Sequence, residues 1–206
     1  MARLIPFADL TVSPWRNGAG RKADVAAGPD WLVGFAWLDR DAPFSDYTGH
    51  DRTITLIEGA GFALDFGPTR PELLVQQPCV PSAFDGGWPA RCHVLDGPCL
   101  VLNAMTARAT WKHSVTVSPV PPRTEPAPAE TMFLVVLRGR VSIGDATAGP
   151  RDAFAIAEVE DGRAEPGSRV ALIRIDPIKI PSPPEGTLFE PSRSPRAERR
   201  GLRQPG

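Results

Sequence analysis

His50, His93 and His113 are the only imidazoles in the chain, and 43 and 20 residues separate them. A metal centre built on strands needs about three protein ligands converging from neighbouring segments, usually announced by an HxH spacing and a nearby Glu. No HxH is present. Each histidine therefore reads as a surface or satisfied structural group, and neither a metal nor another cofactor is expected. Nucleophilic catalysis has equally little support. Ser45 and Ser114 lie in no GxSxG elbow, and adjacent residues of a strand point to opposite faces, which separates His113 from Ser114 and Cys92 from His93.

Binding chemistry is better represented. In Trp15-Arg16-Asn17-Gly18-Ala19-Gly20, Asn-Gly favours a tight turn and the second glycine permits close approach of the backbone. Such a loop presents Arg16, Asn17 and backbone N–H groups to an anion, or it is simply a turn between two strands with Arg16 in solvent. Arg52 follows the turn at Gly49 and opens a strongly alternating strand. If it points inward it needs a carboxylate, supplied by Asp39, Asp51 or Glu58 or by a ligand, because an unpaired buried guanidinium is costly. Asn103 and Met105 alternate onto one strand face, where the amide is a directional hydrogen-bonder and the thioether is a wall or core filler. Trp15, Trp31 and Trp37 serve equally as pocket walls or as core. The candidate ligand-binding set is Arg16, Asn17, Trp37, Ser45, Arg52, Asn103 and Met105, with Arg16 and Arg52 expected to share one pocket.

The elements that would position these residues are strands. Thr53, Thr55 and Ile57 alternate with Ile54 and Leu56, a glycine turn spans Gly59 to Gly61, and Phe62, Leu64 and Phe66 alternate after it. This pattern predicts a β-hairpin. FLVVLRGRVSIGD, AGPRDAFAIAEV and RVALIRID repeat the design in the second half, and no amphipathic helix of normal length is visible. Short strands with frequent Gly and Pro turns predict an all-β sandwich or barrel.

With 206 residues, 42% of them hydrophobic, the chain can bury two cores of about a hundred residues each. Residues 1–117 are expected to form a first barrel with the pocket, and 131–180 a second, smaller one, possibly completed by N-terminal strands. Between them SPVPPRTEPAPAE, residues 118–130, holds five prolines and is expected to be a linker or strap. The Arg- and Pro-rich stretch 181–206 has too little apolar content for a core and is expected to be disordered. Acidic and basic residues number 24 and 23, so no general field attracts nucleic acid or an anionic membrane. Only three of the basic residues are Lys, a bias that lowers the information in any single Arg. No apolar run reaches the roughly 20 residues that span a bilayer and no signal core opens the chain, so a cytoplasmic location is expected. Cys79, Cys92 and Cys99 form no CxxC and are expected to be buried and reduced.

PWRNGAGRKADVA, residues 14–26, resembles the PW-(K/R)-NG-x-G signature of the HutD/Ves family. WLVGFAWLDRDAPFSDYTGHDRTITLIEGAG and FDGGWPARCHVLDGPCLVLNAM resemble two further family segments in the same order. The resemblance reaches about Pro177. It implies a metal-free bicupin, two jelly-roll barrels of the RmlC-like cupin type, whose first barrel pockets a small molecule such as an acidic intermediate of histidine breakdown. This chain departs from the family pattern at Leu32, Gly86-Gly87 and Val101.

The expected function is a non-catalytic accessory or sensor that binds a small carboxylate in histidine catabolism or a stress response. The rival is a metal-independent isomerase or hydrolase of small acids with an inward carboxylate such as Asp39 or Glu58 as base, and a pure interaction scaffold is the third reading. Assembly into a homodimer is left open by the sequence. Elemental analysis of the purified protein should find no stoichiometric transition metal; one tightly held zinc, iron or manganese per chain would contradict the metal-free reading.

Overall fold

The computed structural model describes residues 2–119, 131–156 and 162–178. Most of the linker 118–130 and all of the stretch 181–206 therefore lie outside the described residues. The strands in chain order are β1 Arg3–Ile5, β2 Val12–Pro14, β3 Arg21–Gly28, β4 Trp31–Leu38, β5 Ala42–Pro43 and β6 His50–Glu58. There follow β7 Phe62–Asp65, β8 Leu73–Val75, β9 Pro81–Asp85, β10 Arg91–Val94, β11 Cys99–Ala107 and β12 Trp111–Ser118. The last six are β13 Thr131–Arg138, β14 Val141–Ile143, β15 Ala146–Ala148, β16 Ala153–Ile156, β17 Gly162–Ala164 and β18 Arg169–Pro177. A three-residue 3-10 turn at Phe7–Asp9 is the only helical element among the described residues, and no helix there is long and apolar enough to cross a membrane.

Four antiparallel sheets result: β2-β3-β4-β11-β6-β9, β5-β10-β7-β8, β1-β16-β13-β18-β12 and β15-β14-β17. Each is an open ladder with two edge strands. Three cores show how they stack. Ile54 and Leu56 of the six-stranded sheet pack with Phe62 and Leu64 of the four-stranded one. The opposite face of the six-stranded sheet, through Val33, Phe35, Leu100 and Leu102, meets Phe133, Val135, Ile173 and Ile175 of the five-stranded sheet. That sheet's far face, through Leu134, Val136 and Val170, covers Val141 and Ile143 of the three-stranded sheet. Central strands are consequently buried on both faces, which explains why WLVGFAWL, CLVLNAMTA and FLVVL read as continuous apolar runs and not as alternation.

The chain halves interleave. β1 hydrogen-bonds to β16, and β12 to β18, so both ends of the first 117 residues join the sheet built by the second half. The hairpin expected at Gly59–Gly61 is not formed. β6 pairs with β11 and β9, whereas β7 pairs with β10 and β8. The reason lies in the pattern itself: Ile54, Leu56, Phe62 and Leu64 all point into one core, so the strands face each other across it. The glycines bend the chain between sheets at φ 105° and 110°, and a Cβ at residue 59 would lie 2.6 Å from Cys99 Sγ. Cys92 and Cys99 are buried free thiols; Cys79 is only half-buried, contrary to expectation, and takes a positive φ of 64°. Burial pushes the Cys92 thiol up to about 12, which leaves it inert at neutral pH.

His113 ties two sheets together. From β12 its ring places Nε2 2.9 Å from Thr53 Oγ1 of β6 and Nδ1 2.8 Å from Thr106 Oγ1 of β11. Burial lowers its pKa below the ordinary 6.5, against a smaller opposing pull from Asp51. The unfolded chain thus binds a proton that the folded chain resists. This contribution is complete above the unfolded value and is lost as pH falls through the lowered folded value. Denaturant titrations at about pH 7.5 and about pH 5 should therefore show a stability loss at the lower pH that His113→Gln diminishes. An identical pH slope in the variant would contradict the assignment.

Candidate functional site

Arg52 is the centre of the first half. Alternation along β6 puts it on the face of Ile54 and Leu56, between Met105 of β11 and Phe84 of β9. Asp51 consequently points the other way, where its Oδ1 accepts from Arg108 Nε at 2.8 Å; Arg108 also reaches Asp85 at 3.1 Å. The nearest carboxylate in sequence is thus committed elsewhere. Arg52 is 7% exposed. Its Nη2 donates to Asn103 Oδ1 at 3.1 Å, and its guanidinium carbon lies 5.0 Å from the ring centres of Phe44 and Phe84 and 5.6 Å from that of Tyr47.

No acidic side chain among the described residues pairs with Arg52, and its Nε is buried without an acceptor. Burial pulls its pKa from 12.5 down to about 10, opposed by Tyr47, so it stays cationic at neutral pH. Ring contacts of about 0.5–2 kcal/mol each and one neutral acceptor offset only part of the several kcal/mol that desolvating a charge costs. An anion would offset the remainder.

A small cavity of about 40 Å³, partly open to solvent, lies in front of Arg52. Ser45, Tyr47, Asn103 and Met105 line it, as do Trp15, Phe44 and the strand residues Lys22, Asp24, Leu32 and Gly34. The loop bearing Ser45 and Tyr47 closes over Arg52 because residue 86 is glycine: its N–H donates to His50 O, its carbonyl accepts from Tyr47 N, and a Cβ there would lie 3.2 Å from Arg52 Cδ. Lys22 and Asp24 were missed in the sequence. Their signal was a polar pair at i, i+2 in RKADVA, whose intervening Ala23 and neighbouring Val25 are buried on the opposite face. A bulge at Val25 interrupts the β3–β4 ladder directly after Asp24, a distortion that re-aims side chains.

Of the expected set, Ser45, Arg52, Asn103 and Met105 converge on this cavity, and Arg16, Asn17 and Trp37 do not. The shared Arg16–Arg52 pocket is thereby corrected. Arg16 is exposed and borders a neighbouring surface groove that shares Ser45 and Tyr47 with the cavity. Asn17 works as a structural clamp, its Nδ2 donating to Pro43 O at 2.9 Å and its N–H to Ser45 Oγ at 3.3 Å. With Gly18 N donating to Trp15 O and Ala19 N to Asn17 Oδ1, the three consecutive N–H groups of Asn17, Gly18 and Ala19 are all committed to protein acceptors. Trp37 lies on the β4 face opposite Ala36, beneath the Arg21 guanidinium at 4.5 Å. Trp31 packs on Phe133 between the sheets.

The candidate bases also fall outside the cavity. Asp39 pairs with Arg21 at 3.1 Å and Glu58 with Arg151 at 3.7 Å, both substantially exposed. His93 Nδ1 contacts Asp41 at 2.9 Å, which lowers the Asp41 pKa, and His50 stacks edge-on with Tyr47. Among the described residues no three His, Cys, Asp or Glu side chains gather in a way that could hold a metal.

Comparison with known proteins fits this architecture. A 21.2 kDa protein from the region 3′ of hutC in Pseudomonas putida is 30% identical over 119 residues, which are 53% of this chain and 60% of that protein. Protein Ves of Escherichia fergusonii is 26% identical over 116 residues, again 53% of this chain and 60% of the relative. The match thus spans somewhat under two thirds of either relative. The crystal structure of HutD from Pseudomonas fluorescens SBW25 superposes with a TM-score of 0.74 at 20% identity, covering 87% of this chain and all of that one. Bacterial pirin from Escherichia coli, in complex with nickel(II), gives 0.60 at 11% identity over 86% of this chain and all of that one, so the all-β fold is cupin-like. The HutD family model matches residues 7–170, and the chain accordingly belongs to the HutD family.

Proposed function

We propose that this protein binds a small carboxylate in the cavity of its first half and acts without catalysis, as an accessory or sensor of histidine utilisation. The observation that carries the reading is the buried Arg52 guanidinium, which has Asn103 and three aromatic rings around it but no carboxylate among the described residues. A planar guanidinium donates two parallel hydrogen bonds to a carboxylate, the geometry that best uses its fork. Family membership and the position of the Pseudomonas putida relative beside hutC support the pathway. In this reading the four stacked layers form two cupin barrels back to back, and the ligand occupies the first. Asp39 and Glu58 are engaged outside the cavity, which leaves Asp24, ion-paired with Lys22, as the carboxylate in its lining that small-acid isomerisation or hydrolysis would have to use.

Calorimetric titration with formate and acetate tests the site directly. Arg52→Lys keeps the charge but loses the fork, and should weaken either acid by on the order of 1–3 kcal/mol. Arg52→Met should abolish binding while leaving the unliganded protein as stable as the parent or more so, because it removes an unpaired buried charge. Undiminished binding by Arg52→Met, or a stability loss of several kcal/mol, would make Arg52 a structural residue.

A further inference from the structure

The cavity has a second polar end. Along the six-stranded sheet, Asp24 pairs with Gly34 and Gly34 with Asn103, so the three share one row across β3, β4 and β11. The middle position carries no side chain. A Cβ on Gly34 would sit 2.8 Å from Ala23 O and 3.1 Å from Asp24 Oδ1, so only glycine lets the Asp24 carboxylate and the β3 backbone come this close over the middle of the row. Two strand spacings, about 10 Å of backbone, separate the ends of this row. At the Asp24 end one carboxylate oxygen, Oδ2, accepts from Lys22 Nζ. The other, Oδ1, is buried and has no donor among the described residues. Buried carboxylate oxygens are almost always hydrogen-bonded, so one left open on a residue that lines the cavity is an acceptor awaiting a donor.

The charges define what fits. Lys22 and Asp24 neutralise each other, whereas Arg52 has no counter-charge among the described residues. The cavity therefore carries one excess positive charge at one end and one free acceptor at the other. Building on the carboxylate reading above, we infer that the ligand is a monocarboxylate bearing an N–H donor at its far end, with the acid on Arg52 and Asn103 and the N–H on Asp24 Oδ1. A second carboxylate in place of the N–H would face the Asp24 oxygen and be repelled. An isostere lacking the N–H would bury that oxygen without a donor, the kind of mismatch that discriminates strongly.

The test is calorimetric titration of the full-length protein at neutral pH with urocanate, a planar acid with a ring N–H, and with 3-(3-furyl)acrylate, which has the same shape and no N–H. Wild type should bind urocanate at least about 10-fold more tightly, the worth of one hydrogen bond to a buried charged group. Asp24→Ala should bring the two acids within about 2-fold of each other, with formate still bound and all three acids gaining alike from the freed Lys22 charge. Equal binding of the two acids by wild type, discrimination that survives Asp24→Ala, or failure of both acids while formate binds would each overturn the inference and leave the carboxylate reading standing. Loss of all three, formate included, would overturn both. The wild-type comparison decides the matter even if Asp24→Ala does not fold.

Discussion

The six-stranded sheet is buried on both faces, and the rest of the molecule follows from that constraint. One face of β4, β6 and β11 packs against the five-stranded sheet and the other lines the first core and the cavity. Since side chains alternate with a period of two, a slip of one residue would send Phe35 and Leu102 into the cavity and Arg52 and Asn103 between the sheets. Site and core therefore share one register. The bulge at Val25 is a local exception that leaves Val25 in the inter-sheet core and Asp24 at the cavity.

Within that frame Arg52 is an electrostatic imbalance held in place by its surroundings. Phe44, Tyr47 and Phe84 pack near its guanidinium, Asn103 gives it a neutral acceptor, and Arg108 occupies both Asp51 and Asp85. The last contact matters as much as the others. Had Asp85 turned inward, the charge would be neutralised and the cavity would have no preference for anions. A protein optimised only for stability would place an apolar side chain at this position, because a buried charge short of partners is destabilising. Retaining the charge makes sense if a ligand completes it, and binding then stabilises the fold by mass action.

How much of this was legible depended on whether the controlling physics was local. Period-two alternation along Thr53–Ile57 exposed the strands and put Arg52 on the face of Ile54, and the i, i+2 spacing of Asn103 and Met105 placed both on the cavity side. The same alternation cannot say whether Phe62 and Leu64 lie beside β6 or across the core from it, so the glycine bend was taken for a hairpin. The Asn17 turn was legible as a turn, but its partners, Pro43 and Ser45, are more than 25 residues away; only the fold shows that its donors are consumed. Asp24 was hidden because neighbouring Ala23 and Val25 give β3 no strong amphipathic contrast, and its importance arises from Gly34 on the next strand.

If an anion completes the Arg52 guanidinium, as proposed, the Nε–H of that side chain reports on it atom by atom. Heteronuclear NMR of the side-chain Nε–H, assigned by comparison with Arg52→Lys, should show a resonance that moves downfield and exchanges more slowly with water as formate is added. An Arg52 resonance unchanged by formate at concentrations that shift other cavity residues would contradict the account, because the ligand would then be bound without the charge that the fold keeps unpaired.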